Sequence, residues 1–275
     1  MNLTVPAVDD RVQPPDDTFA WQAPAHWAQI DFISDLHLAP SLPRTVEAWR
    51  RHLQDSRADA LVILGDLFEV WVGDDARFDD FEAECTAWLH AASRHRTVAF
   101  MAGNRDFLLG ADMAAAAGLT LLPDPTVLSA WGERLLLTHG DAWCLDDVPY
   151  QRFRQQVRGA EWQADFLSRP LPERREQARQ IRAESQRLKQ QQVSTPSDWV
   201  DVDRTTAVAC LQRHHCHTLV HGHTHRPATE TLAPGLTRHV LSDWDLDDPQ
   251  QPRANVLEWR PGALQARALH ATSPA

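Results

Sequence analysis

The sequence predicts an α/β fold, and three observations carry that expectation. Apolar runs of strand length end repeatedly in polar residues, helix-like stretches separate the early runs, and one charged helical stretch interrupts the alternation after residue 150. Buried strands read as continuous apolar runs, and strands alternating with helices build layered α/β structures. With 275 residues, 43% of them hydrophobic and 24% charged, the chain is long enough for one large domain or a core carrying an insertion.

Residues 1–26 are rich in Pro and Asp and poor in large apolar side chains, so they are expected to form a disordered leader. They lack the basic and apolar regions of a secretory signal. A first strand is expected over residues 28–33, ending in Ser34 and Asp35. A helix over 44–56 leads to a second strand at 60–64, ending in Gly65 and Asp66. A helix over 78–94 leads to a third strand at 98–102, ending in Gly103 and Asn104. Further strands are expected at 135–137, before His139, and at 218–220, before His221, Gly222 and His223. Residues 237–244 and 254–260 complete the set.

The stretch 151–192 is different. Phe153, Val157, Ala160, Ala164 and Leu167 recur at helical spacing, and Pro170 and Pro172 interrupt the pattern. It carries ten basic residues against five acidic ones. Such a charge run is usually a solvated helical face, and alternatively a basic cap over an anionic substrate or a patch resting on anionic lipid. Phe153, Val157, Trp162, Phe166 and Leu167 either pack this segment on the core or line an apolar slot. The expected organisation is a leader at 1–26, a core at 27–150 and 200–262, a cap at 151–199 and a tail at 263–275.

Composition narrows the function. The net charge of −11 argues against a sequence-independent nucleic-acid binder, which needs a basic face. Cys85, Cys144, Cys210 and Cys216 form no CxxC pair, so neither a disulfide framework nor a zinc ribbon is expected. No apolar run approaches the ~18–20 residues that span a bilayer. There is one lysine, Lys189, and one tyrosine, Tyr150.

The polar strand ends share one chemistry. Asp35 and His37 are two residues apart, so in extended backbone they point the same way, and His223 and His225 repeat that spacing. Asp66, Asn104 and His139 end three other runs. Ligands gather at the carboxyl ends of strands in open α/β sheets, so all seven side chains can meet at one edge. Three oxygen donors and four imidazoles without thiolate suit manganese, iron or zinc better than calcium or magnesium. Seven donors are too many for one ion and fit two, with Asp66 best placed to bridge. Such a pair attracts phosphate oxygens and activates water.

The ordered motifs Asp35-Leu36-His37, Gly65-Asp66, Gly103-Asn104-Arg105-Asp106, His139-Gly140-Asp141 and Gly222-His223-Thr224-His225 resemble those of the calcineurin-like metallophosphoesterases, over most of residues 30–245. Longer runs, from Gly65 to Asp75, from Gly103 to Gly110 and from His139 to Arg154, are similar to the branch of that family acting in lipid A synthesis. The resemblance implies an αββα sandwich with an inserted helical cap and a two-manganese centre. It implies Asp35, His37, Asp66 and His225 around one ion, and Asp66, Asn104, His139 and His223 around the other. It implies hydrolysis of the pyrophosphate of a UDP-linked diacylglucosamine at the phosphorus attached to uridine, with Asp66, Asn104, Arg105 and His139 carrying the catalysis. Substrate contacts are implied at Asn104, Arg105, Asp147, Tyr150, Ser185 and His223, with Lys189 and Gln192 standing where the branch places two more polar contacts, the second of them a lysine. A peripheral place on the cytoplasmic face of the bacterial inner membrane follows, with a lipid-linked nucleotide as substrate and an anionic membrane surface met by the basic cap. Two other readings use the same donors: a phosphoesterase for a soluble nucleotide or phosphoester, and a non-catalytic scaffold.

Overall fold

Two six-stranded sheets face one another in the computed structural model, which describes residues 18–192 and 200–269. In the first sheet β2 (Ile30–Ile33), β3 (Ala60–Leu64), β4 (Thr97–Met101) and β5 (Leu119–Leu122) run parallel, joined by α1 (Pro43–Asp55), α2 (Asp80–Ser93) and α3 (Ala111–Ala117). The hairpin of β11 (Asn255–Arg260) and β12 (Ala263–Ala268) adds antiparallel to β2. The second sheet has the order β1 (Phe19–Gln22), β6 (Thr126–Ala130), β7 (Glu133–Leu137), β8 (Thr218–His221), β10 (Leu236–Val240), β9 (Ala228–Ala233).

Side-chain alternation along the strands makes the layers. Phe32, Val62, Leu64, Ala99 and Met101 point one way and meet Leu135, Leu137 and Val220 of the second sheet. Their neighbours Ile33, Leu61, Ile63, Val98 and Phe100 point the other way, under Trp49 of α1, Leu89 of α2 and Met113 of α3. Leu136 and Leu219 cover the outer face of the second sheet with Ala207 and Leu211 of α7 (Arg204–Arg213). The outcome is the αββα sandwich, with the inner strands buried on both faces and hence largely apolar.

Local chemistry sets the helix ends. α1 opens on Pro43, whose missing N–H costs nothing in a first turn. Asp147 and Asp203 cap α4 (Val148–Val157) and α7 by accepting from the Tyr150 and Thr206 amides. The charged stretch forms α4, α5 (Ala160–Leu167) and α6 (Leu171–Gln192), and Pro170 and Pro172 mark where α5 gives way to α6.

Several boundaries differ from the sequence reading. The disordered leader expected at 1–26 does not hold over Phe19–Gln22, which forms β1, parallel to β6 at a sheet edge. The tail expected at 263–275 begins with β12, paired along its length with β11. The expectations for residues 1–17 and 270–275 lie outside the described residues. The expected strand 237–244 ends at Val240, and its last residues become a buried loop. The helix expected from residue 78 starts at Asp80, after a single 3-10 turn at Asp74–Phe78.

Candidate metal centre

All seven donor residues stand just beyond the carboxyl ends of strands. Asp35 and His37 follow β2, Asp66 follows β3 and Asn104 follows β4, while His139 follows β7 and His223 and His225 follow β8. The centre therefore spans the same edge of both sheets. Asp35, His37, Asp66, His223 and His225 all have positive φ, between 49° and 66°, outside the region that non-glycine residues prefer. Sharp turns of this kind fold the donors back over the sheet edge. Gly65, with φ of 85°, precedes Asp66 because a Cβ there would overlap the His139 ring.

The side chains converge. His37 and His225 face each other with Nε2 atoms 3.2 Å apart, and His225 Nε2 lies 3.3 Å from Asp35 Oδ1. On the other side Asn104 Oδ1 sits 3.1 Å from His139 Nε2 and 2.9 Å from His223 Nδ1. Asp66 stands between the two groups: its Oδ2 is 3.9 Å from His37 Nε2, and its Oδ1 is 3.7 Å from His139 Nε2. Groups of potential ligand atoms within 4.8 Å of one another occur at Asp35, His37 and His225 and at Asp35, Asp66 and His139. Asp35 Oδ1 is buried with no hydrogen bond, although Asp35 Oδ2 accepts from Ser34 Oγ at 2.6 Å and from the His223 amide at 2.9 Å. A buried carboxylate oxygen without a proton donor, beside imidazole nitrogens that point at one another, fits a cation.

Charge is balanced tightly. Burial works against ionising Asp35, but His225, His139 and His37 hold its carboxyl well below the usual range. Burial likewise opposes a charge on His139, yet Asp66, Asp35 and Asp141 lift it to about 9. So much stored negative potential calls for positive charge at this spot.

Some functional groups escaped the sequence reading. Asp106 is fully buried and accepts from the amides of Gly103 at 2.9 Å and Leu67 at 2.7 Å, fastening the Asp66 and Asn104 turns together. Burial and the neighbouring Asp66 raise it to about 7. Its signal was its place inside the Gly103–Asp106 motif. Asp243 is buried beside His225 and lies inside the expected strand 237–244, where nothing marked it out. Glu69, in the run after Asp66, lies against His37.

The residues that the resemblance assigns to substrate fall on the same edge in part. Arg105 lines a cavity of about 670 Å³ together with His37, Asp66, Asn104, His223 and His225, and its Nε is buried without a hydrogen bond. Tyr150 stacks on His223 with ring centres 6.1 Å apart, and its hydroxyl donates to Asp141 at 2.5 Å. Asp147 caps α4. Ser185, Lys189 and Gln192 lie on α6, and their side chains are outside the described residues.

The cap's positive charge turns inward. Arg154 binds Asp141, Arg158 donates to the Gly103 carbonyl, Arg174 pairs with Asp75, Arg175 with Asp79, and Arg182 with Glu69. Half of the ten basic residues therefore fasten these helices to the body. Phe166 is buried and Trp162 stacks on it at 4.8 Å and meets Phe107 at 6.3 Å, so packing accounts for these two members of the expected apolar slot.

A family model described as calcineurin-like phosphoesterase matches residues 28–227. A protein of Stenotrophomonas maltophilia (strain R551-3) called UDP-2,3-diacylglucosamine hydrolase is 46% identical over 222 residues, covering 78% of this chain and 90% of that one. A namesake from Xanthomonas axonopodis pv. citri is 46% identical over the same shares. One from Bordetella pertussis is 42% identical over 82% of this chain and 88% of its own.

Proposed function

The chain belongs to the calcineurin-like phosphoesterases, and on that premise we propose that it hydrolyses UDP-2,3-diacylglucosamine to UMP and 2,3-diacylglucosamine 1-phosphate. The observation that carries this is the joint one: seven donors gathered on one sheet edge, in a chain 46% identical to a hydrolase of that name across 90% of its length.

Asp35, His37, Asp66 and His225 would hold one divalent cation and Asp66, Asn104, His139 and His223 a second, with manganese favoured by the mixed oxygen and imidazole donors. When bound, such a pair polarises phosphate oxygens and brings a water molecule to a reactive pKa near neutrality. Asp66 offers one carboxylate oxygen to each side. His139 is oriented by the carbonyl of Leu64, which meets its Nδ1 at 2.8 Å and leaves Nε2 facing the centre. Arg105, on the cavity wall, can meet a phosphate oxygen with a planar pair of donors and offset the charge that develops at phosphorus. The Tyr150 ring, fixed by Asp141, stacks on His223.

We assign the two sheets with their covering helices, residues 18–150 and 200–269, to the catalytic core and the inserted helical stretch from residue 151 to a cap that shelters the substrate. Among the described residues no helix is long and apolar enough to cross a membrane. A lipid-linked substrate calls for contact with a membrane surface, here proposed to be the cytoplasmic face of the bacterial inner membrane. Exposed apolar and basic side chains on α4 and α5, namely Val148, Leu167 and Arg152, support that reading. The test is to incubate the protein with Mn2+ and detergent-dispersed UDP-2,3-diacylglucosamine and to measure UMP. Stoichiometric release is expected; turnover of soluble nucleotides with no release from the lipid substrate would refute the assignment.

A further inference from the structure

An imidazole has two nitrogens, and in His37 and His225 the outward ones share a pattern. The Nε2 atoms face each other across the centre, while each Nδ1 faces a carboxylate. His37 Nδ1, buried and without a hydrogen bond, lies 3.2 Å from Glu69 Oε2 as its nearest charged group, and His225 Nδ1 lies 3.5 Å from Asp243 Oδ2. Each carboxylate is in turn gripped by an arginine. Arg253 takes Asp243 with a fork, at 2.9 Å and 2.6 Å. Arg182 pairs with Glu69, and its guanidinium also reaches the Glu69 carbonyl at 3.5 Å. The two grips differ in origin. Arg253 belongs to the loop before β11, close in sequence to Asp243, whereas Arg182 comes from the middle of α6, 113 residues beyond Glu69. The Glu69 amide also donates to the Leu38 carbonyl at 3.2 Å, which anchors it beside the turn that carries His37.

We propose that Glu69, held by Arg182, is a positioning residue for His37, so that the placement of α6 sets the affinity of the metal position built on His37. The inference rests on the metal centre assigned above. A carboxylate beside Nδ1 favours the proton there and leaves the Nε2 lone pair facing the centre. It also fixes the ring plane. Without Arg182 the Glu69 carboxylate is free to swing toward solvent, since it is only partly buried. The His37 ring then loses its orientation, although no group that touches the metal position has changed.

The full-length protein, titrated with Mn2+ alone and followed by calorimetry, tests this. The wild-type chain is expected to bind two ions. Glu69→Gln is expected to weaken one of the two steps by about ten- to a hundredfold, the usual cost of losing such a partner. Arg182→Met should weaken the same step, and combining the two should add little. Arg182→Lys should restore part of the affinity. Arg179→Met, which removes an exposed pair internal to α6, should leave both steps unchanged. Wild-type affinity in both Glu69→Gln and Arg182→Met, with or without a lower melting temperature, would overturn the proposal and leave the pair as a fastening of α6. A loss in Glu69→Gln that Arg182→Met does not share would overturn the link to α6. If Glu69→Gln does not fold, Arg182→Met carries the test. A wild-type chain that binds no Mn2+ would instead remove the metal centre itself.

Discussion

Asp66 occupies the place where the two donor groups meet, with one carboxylate oxygen toward His37 and the other toward His139. Asp66→Ala is therefore expected to bring bound Mn2+ from two ions to none and to abolish UMP release. Metal content by mass spectrometry beside the rate checks it; a variant retaining two ions would show that Asp66 does not bridge. The donors themselves were legible in the sequence, because carboxylate, amide and imidazole groups recurring at the ends of apolar runs have few roles besides holding a cation. The groups behind them were not. Glu69, Asp106 and Asp243 are ordinary acidic residues in a chain with 38 of them. What distinguishes them is contact with the turns that carry the donors, Glu69 against His37, Asp106 against the Leu67 amide and Asp243 against His225, which only the folded chain displays.

At the level of elements, the inner strands were visible because burial on both faces leaves them largely apolar, and β3 is apolar and buried at all five positions. The edge strands were hidden. β1 has three of four residues exposed and β12 four of six, so their stability comes from ladder hydrogen bonds to a partner that no local pattern names. The same reasoning applies to the cap. Its charge was readable, but the acceptors that neutralise it lie far away in the core. Arg174 is 3% exposed, donates to the Val72 and Arg169 carbonyls and pairs with Asp75. Arg174→Met would leave buried acceptors unpaired at the root of α6, for a loss on the order of 2 kcal/mol in urea denaturation. An unchanged midpoint would mean that α6 is held by its other contacts.

For the molecule as a whole, acid is expected to be destabilising, and one contributor lies far from the metal centre. His52 is buried under the first sheet, 3.4 Å from Asp31. Burial, with Arg267 and Arg96 nearby, lowers it to about 4. Its folded pKa is thus below the unfolded value near 6.5, so the folded chain keeps it neutral. The stability this gives is complete above about pH 6.5 and is lost as pH falls toward 4. Asp31, raised chiefly by burial, titrates in the opposite sense, so the His52 share must be isolated by comparison. Between pH 7 and pH 5 wild type should lose about 2 kcal/mol more than His52→Gln. Equal pH dependence in the two proteins would place the acid sensitivity elsewhere.

Five of the seven donors hold their backbones in the left-handed region, at a cost of about 1 kcal/mol or more for each non-glycine residue. A glycine at any of them would relax the turn and delete the donor in the same stroke. Robustness and chemistry are therefore opposing demands on the same five codons: variants selected only for heat tolerance should drift toward an inert protein, and the sturdiest descendants of this chain should be those that have forgotten how to cleave.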